Sequence, residues 1–382
     1  MAKKRKKIVV RDGRQTAGRL ALLFLSVLLV SGAVIAVVFI ARSCGVMLST
    51  RVMPFDSSSE YCGTGDGIMY LRGGYMNFYD FKDEDGSYSL ELSNVPDGLV
   101  GSPGVKAMYS EGAVQIVNAP FNIEVDGTVK KVRCGSAHAA VCKLRSTGET
   151  ELKIYSSTGQ QVLQLPNSGD PNACYAPGQL IDFGFSEADG CVLWTMELFT
   201  DSGSPRTTIT TYDLNRMTNS GIITVQGQLV ERVFFTESGI YAVGTESIIR
   251  YGAADNREKY RVQIYGYRVE DISLCGDRPC MLLVPRDGGE LSSARILSVS
   301  EKDVAGETAV SVLLPEGTVS CHMVNGMLAV VTSGGVRIYG TDGKLLERLD
   351  LSASAITSSD ELDEHHILLE RSGEYTLLTV GK

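Results

Sequence analysis

Two hydrophobic patterns divide the chain. Residues 20–41 read LALLFLSVLLVSGAVIAVVFIA, an unbroken apolar run bounded by Arg19 and Arg42. As a helix it would extend about 33 Å, enough to cross the ~30 Å hydrocarbon core of a bilayer. Beyond it almost no segment has a 3.6-residue period. Short period-two runs take over, broken by Gly, Asp, Asn and Ser, and predict an all-β domain.

The β region repeats one phrase. GIMYLRGGYMNFYDFKDEDGSYSLEL begins at Gly67, AAVCKLRSTGETELKIYSSTGQQVLQL at Ala139, GIYAVGTESIIRYG at Gly239 and GMLAVVTSGGVRIYGTDGKLLERLDL at Gly326. Each reads as an apolar strand, a turn, a strand ending near a tyrosine, a glycine-containing turn and a further strand. Tyr79, Tyr155, Tyr251 and Tyr339 occupy matching places, and Tyr212 lies close to one. Weaker copies start near Val105, Gly190, Cys280 and His366. Eight first strands about 40 residues apart match the period of four-stranded propeller blades. A sandwich does not repeat a three-strand phrase eight times, and a β-solenoid repeats at shorter intervals. The expectation is one β-propeller over residues 52–382, with eight blades and seven as the alternative. The last repeat supplies two strands, so residues 52–61 are expected to complete its blade and close the ring.

Charge fixes the expected topology. Residues 1–42 hold nine basic groups and one acidic, and the remaining 340 carry a net charge of −17. Excess Lys and Arg before a span keeps that side in the cytoplasm. The organisation is therefore a basic cytoplasmic tail (1–19), a transmembrane helix (20–41), a juxtamembrane linker (42–51) and an extracytoplasmic propeller, anchored in the plasma membrane. A cleaved signal peptide, cut after Ser31-Gly32-Ala33, would leave VIAVVFIA exposed at the new terminus and fits less well. The basic tail suits anionic lipid. The acidic body repels phosphate backbones, which argues against nucleic acid as a partner.

The basic tail, the single span, the PFDSSS of residues 54–59 and the tandem GIxxL…Y-x-x-x-x-G repeats resemble a family of uncharacterised, membrane-anchored bacterial propeller proteins from Gram-positive anaerobes. The resemblance implies location and fold and assigns no site.

Candidate chemistry is sparse. Cys62, Cys134, Cys275 and Cys321 each lie six residues before the second position of a first strand, a register held by Phe185 and Phe234 elsewhere. This predicts buried structural thiols where one blade passes to the next. The best disulfide candidate is Cys275–Cys280, flanking a turn, followed by Cys134–Cys142. No Cys-x-x-Cys occurs, and His365-His366 beside Asp363 and Glu364 reads as a surface turn, so no metal centre is expected. Asp83-Glu84-Asp85-Gly86 fails the EF-hand spacing and reads as a hairpin turn. There is no nucleophile elbow or phosphate-binding glycine loop, and no cofactor is indicated. A quinoprotein-like ring would show a tryptophan in most blades, whereas only Trp194 is present.

These features favour a non-catalytic binding, scaffold or sensor module for an envelope protein, wall polymer or small ligand. The alternative is a propeller enzyme, hydrolase or quinoprotein-like oxidoreductase, with its site at the central channel. Four residues after the Cys/Phe register come Asp66, His138, Asp189, Ser238 and Asn325, with His365 in the last repeat. Read plainly they are turn-forming polar residues; the sharper expectation is a polar ring that binds a ligand or partner at the channel mouth, on the face away from the membrane tether.

Overall fold

The computed structural model describes residues 45–381 apart from 171, 201–202, 275–278, 288–291, 299–308 and 352–353. The apolar segment 20–41 and its basic flank lie outside the described residues. Among the described residues no helix is long and apolar enough to cross a membrane.

Residues 47–381 fold as one unit of eight four-stranded antiparallel sheets. Blades 1 to 7 span residues 61–91, 98–124, 128–165, 180–226, 230–263, 267–313 and 318–350, each running from its innermost to its outermost strand in chain order. Blade 8 takes three strands from residues 356–381 and its outermost from Met47–Asp56, which pairs antiparallel with Glu374–Gly381. Innermost strands of neighbouring blades touch, from blade 8 round through 1, 2, 3 and 4, and from 6 through 7 to 8. They surround the axis.

The eight-bladed reading therefore holds, while its internal phase shifts by one strand. The apolar run that opens each repeat is the second strand of a blade. The true innermost strand precedes it and is half polar: TVKKVRC, VERVFFT, YRVEDIS, TVSCHMV and ITSSDELD. Blade 8 accordingly has three strands from the C-terminal repeat, and the closing strand starts at Met47, inside the stretch expected to be linker.

Second strands are mostly apolar because both of their faces are buried, as in GIYAVG. Ile240 and Ala242 pack in the core shared with blade 4, while Tyr241 and Val243 pack in the core shared with blade 6. The hydrophobic core is thus a series of interfaces between blades. The repeating tyrosines have one register: Tyr79, Tyr155, Tyr212, Tyr251 and Tyr339 pair with Ile68, Ala139, Leu193, Ile240 and Leu328. All five belong to the core facing the preceding blade.

Six innermost strands carry a one-residue register shift, at Lys130, Ile181, Glu231, Glu270, Val319 and Thr357. A bulge at one place in successive blades bends and twists the strand nearest the axis. The turns that follow differ in length, from residues 325–326 in blade 7 to 186–191 in blade 4. Equal offsets in sequence therefore do not give equal places in the blade. Cys134 pairs with Ala139, the partner of Tyr155, whereas Cys62 and Cys321 lie one and two steps farther from that level. The three cysteines sit on innermost strands rather than at blade crossovers, and they stand as thiols. Cys134 and Cys142 do not bridge: Cys142 faces Lys131, three positions along the strand from Cys134. Cys275 lies outside the described residues, and with it the Cys275–Cys280 pairing.

Turns between inner and second strands, and between third and outer strands, lie on one face of the ring; the remaining turns and the blade crossovers lie on the other. Neighbouring inner turns press together on the first face. A Cβ on Gly104 of blade 2 would come within 1.8 Å of the Ser136 carbonyl oxygen of blade 3, and Ser102 Oγ donates to Gly135 O at 2.6 Å. The closing strand reverses the expected orientation. Met47 pairs with Gly381 and Asp56 with Glu374, and Ser57 N donates to Gly373 O at 2.9 Å. Met47 therefore starts on the face of the inner turns, the same face as Asp66 and His138, and the chain crosses to the opposite face by Asp56.

Closure is apolar as well as hydrogen-bonded. Phe55 is 3% exposed and stacks on Tyr70 at a centroid distance of 4.5 Å, with Tyr375 at 5.3 Å. Phe55→Ala should lower the unfolding free energy of the whole ring by about 3–4 kcal/mol, since it empties the joint between the chain ends; urea denaturation followed by fluorescence and by circular dichroism should shift together.

Blade 3 buries an ion cluster. Glu151 pairs across the strands with Lys143, with Nζ to Oε2 at 2.7 Å and side chains 8% and 2% exposed, and Lys153 and Arg145 approach at 3.4 and 3.6 Å. Burial alone would raise the Glu151 carboxyl, but the Lys143 hydrogen bond and the three cations hold it below the usual value. A carboxyl depressed in the folded state stabilises the fold above its unfolded pKa, and that contribution is lost as pH falls through the folded value. Glu151→Gln should cost about 3 kcal/mol at neutral pH by stranding Lys143. The deficit against the parent should shrink in melts taken below about pH 4.

Candidate functional site: the inner strands and the channel mouth

The expected polar ring is found in one structural class of position. Asp66, His138, Asp189, Ser238, Asn325 and His365 all lie in or beside the turns between inner and second strands, hence on one face around the axis. Local bonding accounts for most of them. Asp66 receives Thr64 Oγ1 at 2.5 Å and pairs with Lys106 Nζ of blade 2 at 2.9 Å. Asp189 accepts from Cys191 N at 2.9 Å and its own amide donates to Ser186 Oγ, fixing the turn. Ser238 receives Arg250 Nη2 on both its carbonyl and its hydroxyl oxygen at 3.1 Å. Asn325 is 5% exposed and takes φ of 51°, a left-handed conformation that asparagine tolerates in a two-residue turn. His138 is buried, which pulls its imidazole below the ordinary range. His365 is exposed; its amide donates to Asp363 Oδ1 at 2.7 Å, and the same carboxylate holds His366 Nδ1 at 2.8 Å. The 363–366 segment is the turn that its spacing suggests. The six residues share a face without converging on a common point.

Convergence occurs deeper, on the innermost strands of blades 6, 7 and 8. Asp271 lies on Tyr267–Ser273, His322 on Thr318–Val324 and Glu361 on Ile356–Asp363. One oxygen or nitrogen from each lies within 4.8 Å of the other two. Asp271, directly after the bulge of its strand, lies opposite Leu282, and His322, three residues past the bulge of its own, lies opposite Ala329. Glu361 faces Ile367.

The surroundings hold these side chains in place. Asp271 accepts from Ile272 N at 2.9 Å and from Met323 N of blade 7 at 2.6 Å. His322 Nε2 meets Ser359 Oγ of blade 8 at 2.8 Å and Ser320 Oγ at 3.2 Å, and the two serines bond each other. Burial pushes the Glu361 carboxyl up to about 11, helped by a hydrogen bond to Asp271 and the charges of Asp271, Glu364 and Asp363. Burial lowers the His322 imidazole, although Asp271, Asp360 and Glu270 pull the other way.

Further contacts tie blade 8 to both sides. Glu364 accepts from Ser273 Oγ and Leu274 N of blade 6 at 2.5 Å, spanning blade 7. Tyr61 of blade 1 donates its hydroxyl to Asp360. The opposite arc has the other sign. The inner strand of blade 3 carries Lys130, Lys131 and Arg133; Lys131 is paired with Asp182, and Lys130 and Arg133 are exposed.

Sequence reading missed Asp271 and Glu361 because it placed the innermost strands at the blade crossovers. The available signal was a polar residue a few positions upstream of each apolar run: Asp271 before Cys280, His322 before Met327 and Glu361 before His366.

No family model matches the chain, and no curated protein matches it. Among solved structures it resembles BamB from Moraxella catarrhalis, with a TM-score of 0.53 and 13% identity, covering 87% of this chain and 98% of that one. It also resembles the computationally designed Ika8 protein, with a TM-score of 0.52 and 10% identity over 86% and 98% of the two chains. The WD40 domain of Neurospora crassa Pan2 aligns at 0.46 and 9% identity over 87% and 95%. At these identities the likeness is one of fold, and it places the chain among β-propellers.

Proposed function

We propose that the protein is a membrane-tethered, extracytoplasmic propeller that binds an envelope protein and serves as a scaffold or sensor rather than a catalyst. The tether is the apolar run 20–41 behind its basic tail, which by charge keeps the N-terminus cytoplasmic. The observation that carries the binding reading is the placement of exposed apolar residues on the face opposite Met47. Leu229, Tyr265 and Leu313 occupy or adjoin three consecutive blade crossovers, with Tyr265 67% and Leu313 82% exposed; Val95 adds a further crossover at 72%. Apolar groups left in water at three consecutive crossovers are a mark of protein contact. With Met47 starting on the inner-turn face, a short tether holds that face toward the bilayer and presents the crossover face outward. A resident of the uncharacterised membrane-anchored propeller family of Gram-positive anaerobes would suit this arrangement.

The alternative, an enzyme with its site in the channel, draws on the Asp271–His322–Glu361 cluster. Photo-crosslinking from Tyr265 and from Leu345, on opposite faces, in native membranes separates the readings. A stoichiometric protein adduct from position 265 that is lost in Leu313→Glu supports the scaffold. A copurifying small molecule with no protein adduct favours the enzyme. An epitope in the Gly373 turn should be labelled on wall-permeabilised cells more readily than one in the Gly343 turn; the reverse would overturn the orientation.

A further inference from the structure

We propose that Asp271, His322 and Glu361 form a site for one first-row divalent transition cation, held between the innermost strands of blades 6, 7 and 8. Two carboxylate oxygens and one imidazole nitrogen are a combination that zinc and its neighbours accept, whereas calcium and magnesium prefer oxygen alone. Around an ion with bonds of about 2.1 Å, ligand atoms lie at most about 4.2 Å apart. The atoms here are within 4.8 Å of one another, against about 3.4 Å between ligands of a tetrahedral site, so side-chain movements of up to about 1 Å bring them onto one ion.

Each ligand comes from a different blade, and each is braced by a neighbour that is not itself a ligand. Met323 N and Ile272 N fix the Asp271 carboxylate. With Nε2–H donating to Ser359 Oγ, the imidazole of His322 keeps its lone pair on Nδ1, the arrangement in which an outer partner sets the tautomer of a metal-binding histidine. Asp271 and Glu361 are two carboxyl groups brought together with no lysine or arginine ion-paired to either among the described residues. Such a pair needs either a shared proton or a cation between its oxygens. Asp360, Asp363, Glu270 and Glu364 lie on the same arc and add a negative field that draws cations in. Three protein ligands leave the remaining coordination positions to water or to an anionic group of a bound molecule. The proposal stands on these three strands alone and does not depend on the tether or on a protein partner.

The test uses the purified full-length chain, stripped with a chelator and titrated with Zn2+. One Zn2+ per chain is expected, with a raised melting temperature and little competition from excess Ca2+. Glu361→Gln and His322→Ala should each weaken binding at least tenfold, while His365→Ala, at an exposed turn, should not. Binding well below one per chain, unchanged affinity in both variants, or ready displacement by Ca2+ would overturn the site. Two readouts on the unaltered chain guard against variants that do not fold. Co2+ should give a spectrum of nitrogen and oxygen ligation; a thiolate charge-transfer band would move the metal to a cysteine and sink the proposal. Zn2+ should also slow hydrogen exchange in residues 267–273, 318–324 and 356–363, and no slowing there would refute it.

Discussion

In a ring of blades every core is an interface, and each interface exists only while the ring is shut. The antiparallel pairing of Met47–Asp56 with Glu374–Gly381 supplies the last of these joints from the two ends of the propeller. Without it, blade 8 would expose the edge of its third strand, and the aromatic group of Phe55, Tyr61, Tyr70 and Tyr375 would lose its centre. The same pairing fixes the distance between blades 6 and 8. Glu361 and Glu364 can reach Asp271, Ser273 and Leu274 only because blade 8 is held in place on both sides. Geometry at the axis is therefore inherited from a contact at the periphery.

What could be read from the sequence follows from how each strand is solvated. A second strand with both faces buried must be apolar at nearly every position, as MLAVVT and GIYAVG are, and so it announces itself. The tyrosines that end the third strands are equally legible, because each fills the seam with the preceding blade. An innermost strand has neighbours on both faces but also meets the axis, where polar groups find partners across blades. Its composition is mixed, as in ITSSDELD, and it is easily taken for a loop. Losing that strand displaced the whole blade by one element. It turned inner hairpin turns into supposed crossovers and reversed the face on which the closing strand begins.

The same error governs the candidate site. Residues at a constant offset from the apolar runs gave the turn positions Asp66, His138 and Asp189, which share one face, the face on which Met47 starts, and are mostly occupied by local bonds. The residues that converge, Asp271, His322 and Glu361, have no common offset, because the turn after Ser273 is longer than that after Val324 and a bulge intervenes at Leu362. Only the pairing registers bring them together. Cross-blade chemistry in a propeller is set by level along the strand, which turn length and bulges hide from a linear reading.

Closure and the inner cluster are also linked energetically. Bringing the Asp271 and Glu361 carboxyls together in a half-buried setting opposes the docking of blade 8, whereas Glu364, Tyr61 and the Ser320–Ser359–His322 chain favour it. A proton shared by the two carboxyls removes the repulsion, and a divalent cation would remove it while adding bonds to blade 7. Any species that binds only the closed arrangement stabilises that arrangement, and a firmer closure raises the affinity for that species in return. The peripheral strand and the axial cluster thus act on one equilibrium. Blade 8, built from both ends of the propeller, is the element through which they do so.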